Sequence, residues 1–153
     1  MKPRLIRRSY SQSRSAVADL LQTAFVGELL APGSSLYLYS PWVTDFPVID
    51  NRSGRFGYLD PDWPAAEIRL SAVLRALLRR SVQLHLAFRP EHHQDEFQRR
   101  LRSAADDDGT ADLIVVRKGT PRDHSRGHEK ALITEQWALH GSMNFTYSGV
   151  EIN

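Results

Sequence analysis

The stretch from Gly127 to Asn144, GHEKALITEQWALHGSMN, constrains the fold more than any other part of the chain. Ala131 to Thr134 is apolar and partly β-branched, which favours a strand, and a second short run, Trp137 to His140, follows at once. The simplest arrangement is a hairpin turning at Glu135–Gln136, with Thr134 opposite Trp137. Counting back along that register, Lys130 faces Gly141 and His128 faces Met143. Side chains two apart on a strand share a face. His128 and Lys130 therefore point one way and Glu129 the other, and Ser142 and Asn144 fall beside the pair. A nucleophile or base, a fixed cation, a hydroxyl and an amide converge, and such a set suits a phosphate.

His128-x-Lys130, an acid at Glu135 after four intervening residues, and Gly141-Ser142-x-Asn144 resemble the HKD signature of the phospholipase D superfamily. Two departures accompany the match. Glu135 stands where Asp is usual, and five residues rather than six separate it from the Gly-Ser pair. Ser40 to Asp45, S-P-W-V-T-D, also resembles the end of the first strand in several such proteins. A weaker likeness is to a subgroup found with DNA-modification and phage-defence gene clusters, which implies partner proteins of such a system.

Each motif residue also has a plainer reading. His128 would be a strand-end histidine, and Lys130 a surface lysine with its stem laid on apolar neighbours. Ser142 and Asn144 would cap a helix beginning near Phe145, a role compatible with anion binding. Glu135 has the opposite parity to His128 and lies roughly 20 Å from it along the strand, so its expected role is in the turn.

The resemblance implies an α/β fold, an αβα sandwich with a mixed, largely parallel sheet. It implies phosphodiester hydrolysis through a phosphohistidine, with His128, Lys130, Ser142 and Asn144 as catalytic residues and neither metal nor cofactor. Relatives with two motifs build one site from both; this chain has one motif, so a homodimer is expected. Compact single-motif relatives resemble nucleases, which makes DNA a better substrate than RNA or lipid. The alternative is a non-catalytic nucleic-acid-binding module inside a DNA-processing or defence complex. A metal-dependent hydrolase, suggested by His124-x3-His128 with His92, His93 and His140, is weaker, because that spacing runs through a Gly-Arg loop rather than along a helix. In related proteins a carboxylate after the G-S-x-N turn, in a pattern like N-x-E, holds the histidine. Asn153 stands where that pattern would begin, so the domain is expected to lack its last strand or strands, with Glu151, Glu135 and Asp123 as poor substitutes.

The rest of the chain reads in order. Residues 1–15 form a basic arm with Lys2, Arg4, Arg7, Arg8 and Arg14; it is a solvated tail or a contact to a phosphate backbone. Residues 16–153 form the domain. A helical stripe covers Ala16 to Leu30 and stops at Pro32-Gly33. Leu36 to Tyr39 is a strand, Trp42 to Trp63 a long loop, and Pro64 to Arg80 a helix with Pro64 in its first turn. Val82 to Phe88 is a strand, Glu91 to Ala105 a helix, and Leu113 to Val116 a strand. Asp106 to Gly109 is expected to be a solvated turn. Trp42 is a core residue or a base-stacking platform. Arg7, Arg8, Arg126 and Trp42 are the candidate substrate contacts.

Composition bounds the rest. At 153 residues, one domain with a real core is expected. There is no cysteine, which excludes disulfides and thiolate metal sites. No apolar run is long enough to span a membrane, and no signal-peptide core follows Met1; a cytoplasmic location is the default expectation. The formal charge is only +2, but basic residues concentrate in the arm and in the loop before His128, as suits a polyanionic partner.

Overall fold

A computed structural model describes residues 15–88, 92–118 and 130–152. The elements are α1 (Ser15–Leu30), β1 (Ser35–Tyr39), β2 (Pro47–Asp50), β3 (Glu67–Arg69), α2 (Leu70–Leu78), β4 (Gln83–Phe88), α3 (His92–Asp107), β5 (Ile114–Lys118), β6 (Lys130–Ile133) and β7 (Ala138–Gly141). Five strands form one sheet in the order β5-β4-β1-β6-β7, and β2 pairs with β3 in a small second sheet. β4 lies parallel to β1 and β5 parallel to β4. β6 runs antiparallel to β1, and β7 antiparallel to β6. The expected α/β class with a mixed sheet is what forms. Its parallel part is narrower than the sequence suggested, because the C-terminal hairpin docks against β1 in the opposite sense.

Strict alternation gives the sheet two unlike faces. Leu36 and Leu38 of β1, Leu84, Leu86 and Phe88 of β4, Ile114 of β5 and Leu132 of β6 are buried on one side. They meet Leu21, Phe25 and Leu29 of α1, the apolar face of α2, and Phe97, Leu101 and Ala105 of α3 in a single cluster. The alternate positions stay open, with Tyr37 at 47%, Tyr39 at 37% and Ile133 at 42% exposure. A sandwich needs a second layer on that side, and the described residues do not supply it.

α2 starts later than its sequence suggests. Residues 67–69 pair with β2 instead, with Ile49 in register with Ile68, and the Leu70 N–H donates to the Phe46 carbonyl at 3.0 Å. The helix begins at Leu70 and takes its cap from a distance. The Asp45 carboxylate accepts from the Ser71 N–H at 2.8 Å and from Ser71 Oγ at 2.9 Å, which satisfies a donor that the helix itself leaves unpaired and favours a negative charge there. The expected apolar face survives the change of boundary: Ile68, Leu70, Val73, Leu74, Leu77 and Leu78 are all buried. The segment read as one long loop contains β2 and is organised by buried Asn51. Its Nδ2 donates to the Pro64 carbonyl at 2.8 Å, and its Oδ1 accepts from the Phe56 N–H at 2.7 Å.

The acidic run at the end of α3 is not simply solvated. Gly109 takes φ +68°, the left-handed conformation that ends helices, and Asp106 and Asp107 are exposed. Asp108 turns inward. Arg75 donates to it through Nε at 2.6 Å and Nη2 at 2.8 Å, and Arg79 through Nε at 2.9 Å. These hydrogen bonds hold the Asp108 carboxyl well below the usual carboxylate range. Arg79 also reaches Asp62 at 2.7 Å and Asp60 at 3.4 Å, so the network ties α3 to α2 and to the segment before β3. A carboxyl whose folded-state pKa is depressed stabilises the protein above its unfolded value near 3.9, and that contribution is lost as pH falls. Asp108→Asn should cost about 2 kcal/mol at pH 7, and the difference from wild type should shrink in urea titrations run below pH 4.

Candidate functional site

The hairpin has the register that its sequence dictates. Lys130 pairs with Gly141, Ala131 with His140, Leu132 with Leu139 and Ile133 with Ala138. The Thr134 N–H donates to the Trp137 carbonyl at 2.9 Å, which leaves Glu135 and Gln136 as the two-residue loop. Thr134 Oγ1 accepts from the N–H groups of Gln136 and Trp137 at 3.2 and 3.3 Å, so a buried threonine shapes the turn from within.

Glu135 stands at this tip, at the opposite end of β6 from Lys130. Its carboxylate accepts from the Ser34 N–H at 3.1 Å and from Ser34 Oγ. The Ser34 hydroxyl, and then its amide, lower the Glu135 pKa against a smaller opposing effect of desolvation. Gln136 Nε2 donates to the Ala31 carbonyl. The motif acid is therefore a clamp between the hairpin tip and the α1–β1 connection.

The other end of the hairpin meets the carboxyl ends of the parallel strands, the usual place for ligands in open α/β sheets. Tyr39 is in register with both Ala87 and Ala131, and one step further along these ladders lies Ser40, level with Lys130. Ser40 and Lys130 are both buried, Lys130 at 7% exposure. Lys130 is thus not the surface lysine of the plainer reading, since burying an ammonium demands compensating acceptors. Ser40 Oγ donates to the Trp42 carbonyl at 2.7 Å and accepts from the Phe145 N–H at 3.4 Å. Trp42 is half-buried.

Gly141 leads from β7 into the turn holding Ser142 and Asn144. Ser142 is exposed and Asn144 half-buried. Asn144 Oδ1 is buried and finds no hydrogen-bond partner among the described residues. An orphaned polar atom calls for an explanation, and a carboxamide rotated by half a turn offers an N–H donor at the same place. The turn is held from below. The Thr44 N–H donates to the Phe145 carbonyl at 2.9 Å, and Thr44 Oγ1 accepts from the Tyr147 N–H at 3.1 Å. Val43 and Phe145 form a parallel bridge. The segment after β1 and the turn after β7 thus make one supported unit.

The helical turn expected near Phe145 starts a little later and takes its cap from Thr146 rather than from Ser142 or Asn144. A π-helical turn spans Ser148–Ile152, and Thr146 Oγ1 accepts from the Gly149 N–H at 3.0 Å. A Cβ on Gly149 would stand 2.2 Å from the Asn144 carbonyl oxygen. Only glycine allows this backbone to close over Asn144.

His128, Arg126, Arg7 and Arg8 lie outside the described residues, as do Asp123, His124 and Asn153. Of the catalytic candidates among the described residues, Lys130 is set across from Gly141, the glycine that leads into the turn holding Ser142 and Asn144, and Glu135 lies at the far end of the hairpin. Sequence reading missed Ser40, Thr44 and Gly149. The likeness of Ser40–Asp45 to a strand end was the available signal for the first two, but it says nothing of their bonds to residues 145 and 147. Among the described residues no three His, Asp or Glu side chains gather as a metal site would require, and His140 is exposed on β7. No helix among them is long and apolar enough to cross a membrane. Neither a family model nor a curated protein matches this sequence.

Two outcomes test this geometry. Ser34→Ala should raise the Glu135 pKa toward its ordinary value in an NMR titration of the side-chain carboxyl. Gly149→Ala should destabilise the protein by about 1–3 kcal/mol in urea unfolding and shift the backbone amide resonances of residues 143–146, where a surface change on α3 such as Ser103→Ala leaves them in place.

Proposed function

We propose that the chain is a phosphodiesterase of the phospholipase D type acting on DNA, with the Lys130–Gly141 corner of the hairpin as its phosphate cradle. The observation that carries this reading is the register. It sets a buried lysine directly across from the glycine that opens the Ser142–Asn144 turn, at the carboxyl edge of the parallel strands. The αβα sandwich belongs to the same proposal, with a second layer on the open face of the sheet.

The chemistry follows from the groups in hand. His128, two residues before Lys130 in the sequence, attacks phosphorus through a ring nitrogen. The P–O bond to the leaving nucleoside breaks as the P–N bond forms, and the departing oxygen takes a proton from His128 of a second copy. That second histidine, now neutral, accepts a proton from water. The water oxygen attacks phosphorus, the P–N bond breaks, and both histidines return to their starting states. Lys130 from each copy, with the Ser142 hydroxyl and the Asn144 amide, meets the charge that grows on the non-bridging oxygens. One motif per chain makes a two-fold dimer part of the proposal.

Labelled single- and double-stranded DNA incubated with the purified protein in EDTA tests it. Cleavage should persist in chelator. Lys130→Met, which keeps the side-chain stem and removes the charge, should lower kcat by about 10²–10³ while the Kd for DNA changes little. Light scattering should give about twice the 17.4 kDa chain mass. Binding with no cleavage by the wild type selects the non-catalytic module instead, and cleavage abolished by chelator selects a metal-dependent enzyme.

A further inference from the structure

Two carboxylates meet where the hairpin tip touches the end of α1. Glu28, in the last turn of that helix, is wholly buried. Its Oε1 accepts from the Gly33 N–H at 2.8 Å, and the next amide, that of Ser34, donates to Glu135 Oε1 at 3.1 Å. Successive amides thus hold carboxylates from two distant elements side by side. A Cβ on Gly33 would meet both, 3.3 Å from Glu28 Oε1 and 3.4 Å from Glu135 Oε2. Glu28 Oε2 is buried and finds no hydrogen-bond partner. Among the described residues neither carboxylate forms an ion pair, and Ser34 rather than any cation lowers the Glu135 pKa. The surroundings add to the negative potential. A helix presents unpaired carbonyls and the negative end of its dipole at its C-terminus, and the last turn of α1 carries no basic residue. The Gly33 N–H goes to Glu28 instead of to one of those carbonyls.

We propose that Glu28 and Glu135, with main-chain carbonyls at the end of α1, bind a hard divalent cation, Ca²⁺ in preference to Mg²⁺, that locks the hairpin tip to the α1–β1 connection. A buried carboxylate oxygen without a partner is costly, and carboxylates at close quarters repel each other. A cation between them removes both costs. The donors are all oxygen, which suits a hard cation rather than zinc or copper. Three gathered side chains are what a zinc or copper centre takes, whereas Ca²⁺ completes a shell of six to eight oxygens with main-chain carbonyls and water. One carboxylate is fixed in the core and the other stands exposed at a turn, so the shell is irregular, and Mg²⁺ demands a near-ideal octahedron. Trp137 fits the same picture. Its ring meets Phe25 edge-on, with centroids 6.2 Å apart, and Phe25 lies one turn before Glu28 on the same helix face. Its Nε1 is a second buried orphan, and a water on the cation is an acceptor for it. The site lies at the opposite end of β6 from Lys130 and takes no part in the chemistry proposed there.

The experiment is thermal unfolding of the purified protein, stripped with chelator and dialysed free of it, alongside Tb³⁺ luminescence sensitised by tryptophan. Millimolar calcium chloride should raise Tm by about 5 °C, magnesium chloride should raise it less, and sodium chloride at equal ionic strength should give no such rise. Tb³⁺ should emit when the tryptophans are excited, Ca²⁺ should compete it away, and Trp137→Phe should remove most of the emission while keeping the Ca²⁺ effect on Tm. Glu135→Gln keeps an acceptor for Ser34 and removes the charge, and it should weaken Ca²⁺ binding about tenfold or more. Gly33→Ala, which puts a methyl group against both carboxylates, should do the same. Asp107→Asn, at the exposed carbonyl end of α3, should change nothing. Glu28→Gln tests the buried ligand, and if it does not fold, Glu135→Gln and Gly33→Ala decide. The absence of a Ca²⁺-specific rise in Tm overturns the proposal and leaves the two orphans to each other, and so does a rise that Glu135→Gln and Gly33→Ala both keep. No DNA enters these measurements, so failure here and failure of the phosphodiesterase reading are separate results.

Discussion

β1 is the strand on which everything else depends, because it must complete two ladders of opposite sense at once. It pairs in parallel with β4 and antiparallel with β6, and each ladder has its own hydrogen-bond spacing. What lets both neighbours agree is the alternation of Leu36 and Leu38 with Tyr37 and Tyr39. A one-residue slip of either partner would turn its apolar side chains to the wrong face. With the leucines fixed against α1, α2 and α3, the position of Lys130 is fixed as well, since it is one pleat beyond Leu132 on the same side.

Where the chain's own pattern decides, the sequence was readable. The hairpin could be drawn to the residue, because a two-residue loop leaves no freedom in register and Thr134 and Trp137 bracket it. The buried face of α2 was legible for the same reason, as the spacing of Ile68, Leu70, Val73, Leu74, Leu77 and Leu78 serves either a helix throughout or a strand that turns into one. Its starting point was not legible. Pro64 is a sound first-turn residue, but residues 67–69 are claimed by β2, and that competition is settled by pairing across the fold.

The same distinction separates the parts of the site. Lys130, Ser142 and Asn144 are close in sequence, and local register sets Lys130 across from the glycine that leads into the turn of the other two. The Thr44 and Ser40 contacts to residues 145 and 147 join segments about a hundred positions apart, and no local pattern announces them. Asp108 misled for a related reason. Three consecutive aspartates before a glycine read as a solvated turn, yet the last is drawn in by Arg75 and Arg79, whose place beneath it is set by helix packing. Gly149 is the plainest instance: its need for a bare Cα comes from the Asn144 carbonyl, which the sequence alone does not bring near.

The clamp at the hairpin tip has a consequence for the order in which the molecule comes into being. Ser34 and Glu135 lie 101 residues apart, and β6 can find its place beside β1 only after that whole length of chain has been made. β1, β4 and β5, with the helices between them, depend on nearer neighbours and can gather first. On a ribosome, where chains emerge from the N-terminus, β1 must therefore wait with one edge unpaired while the rest of the domain is synthesised. The Lys130–Gly141 corner is the last part of the sheet to form, and a polypeptide interrupted in its final tenth would keep most of its core while losing β7 and the Ser142–Asn144 turn.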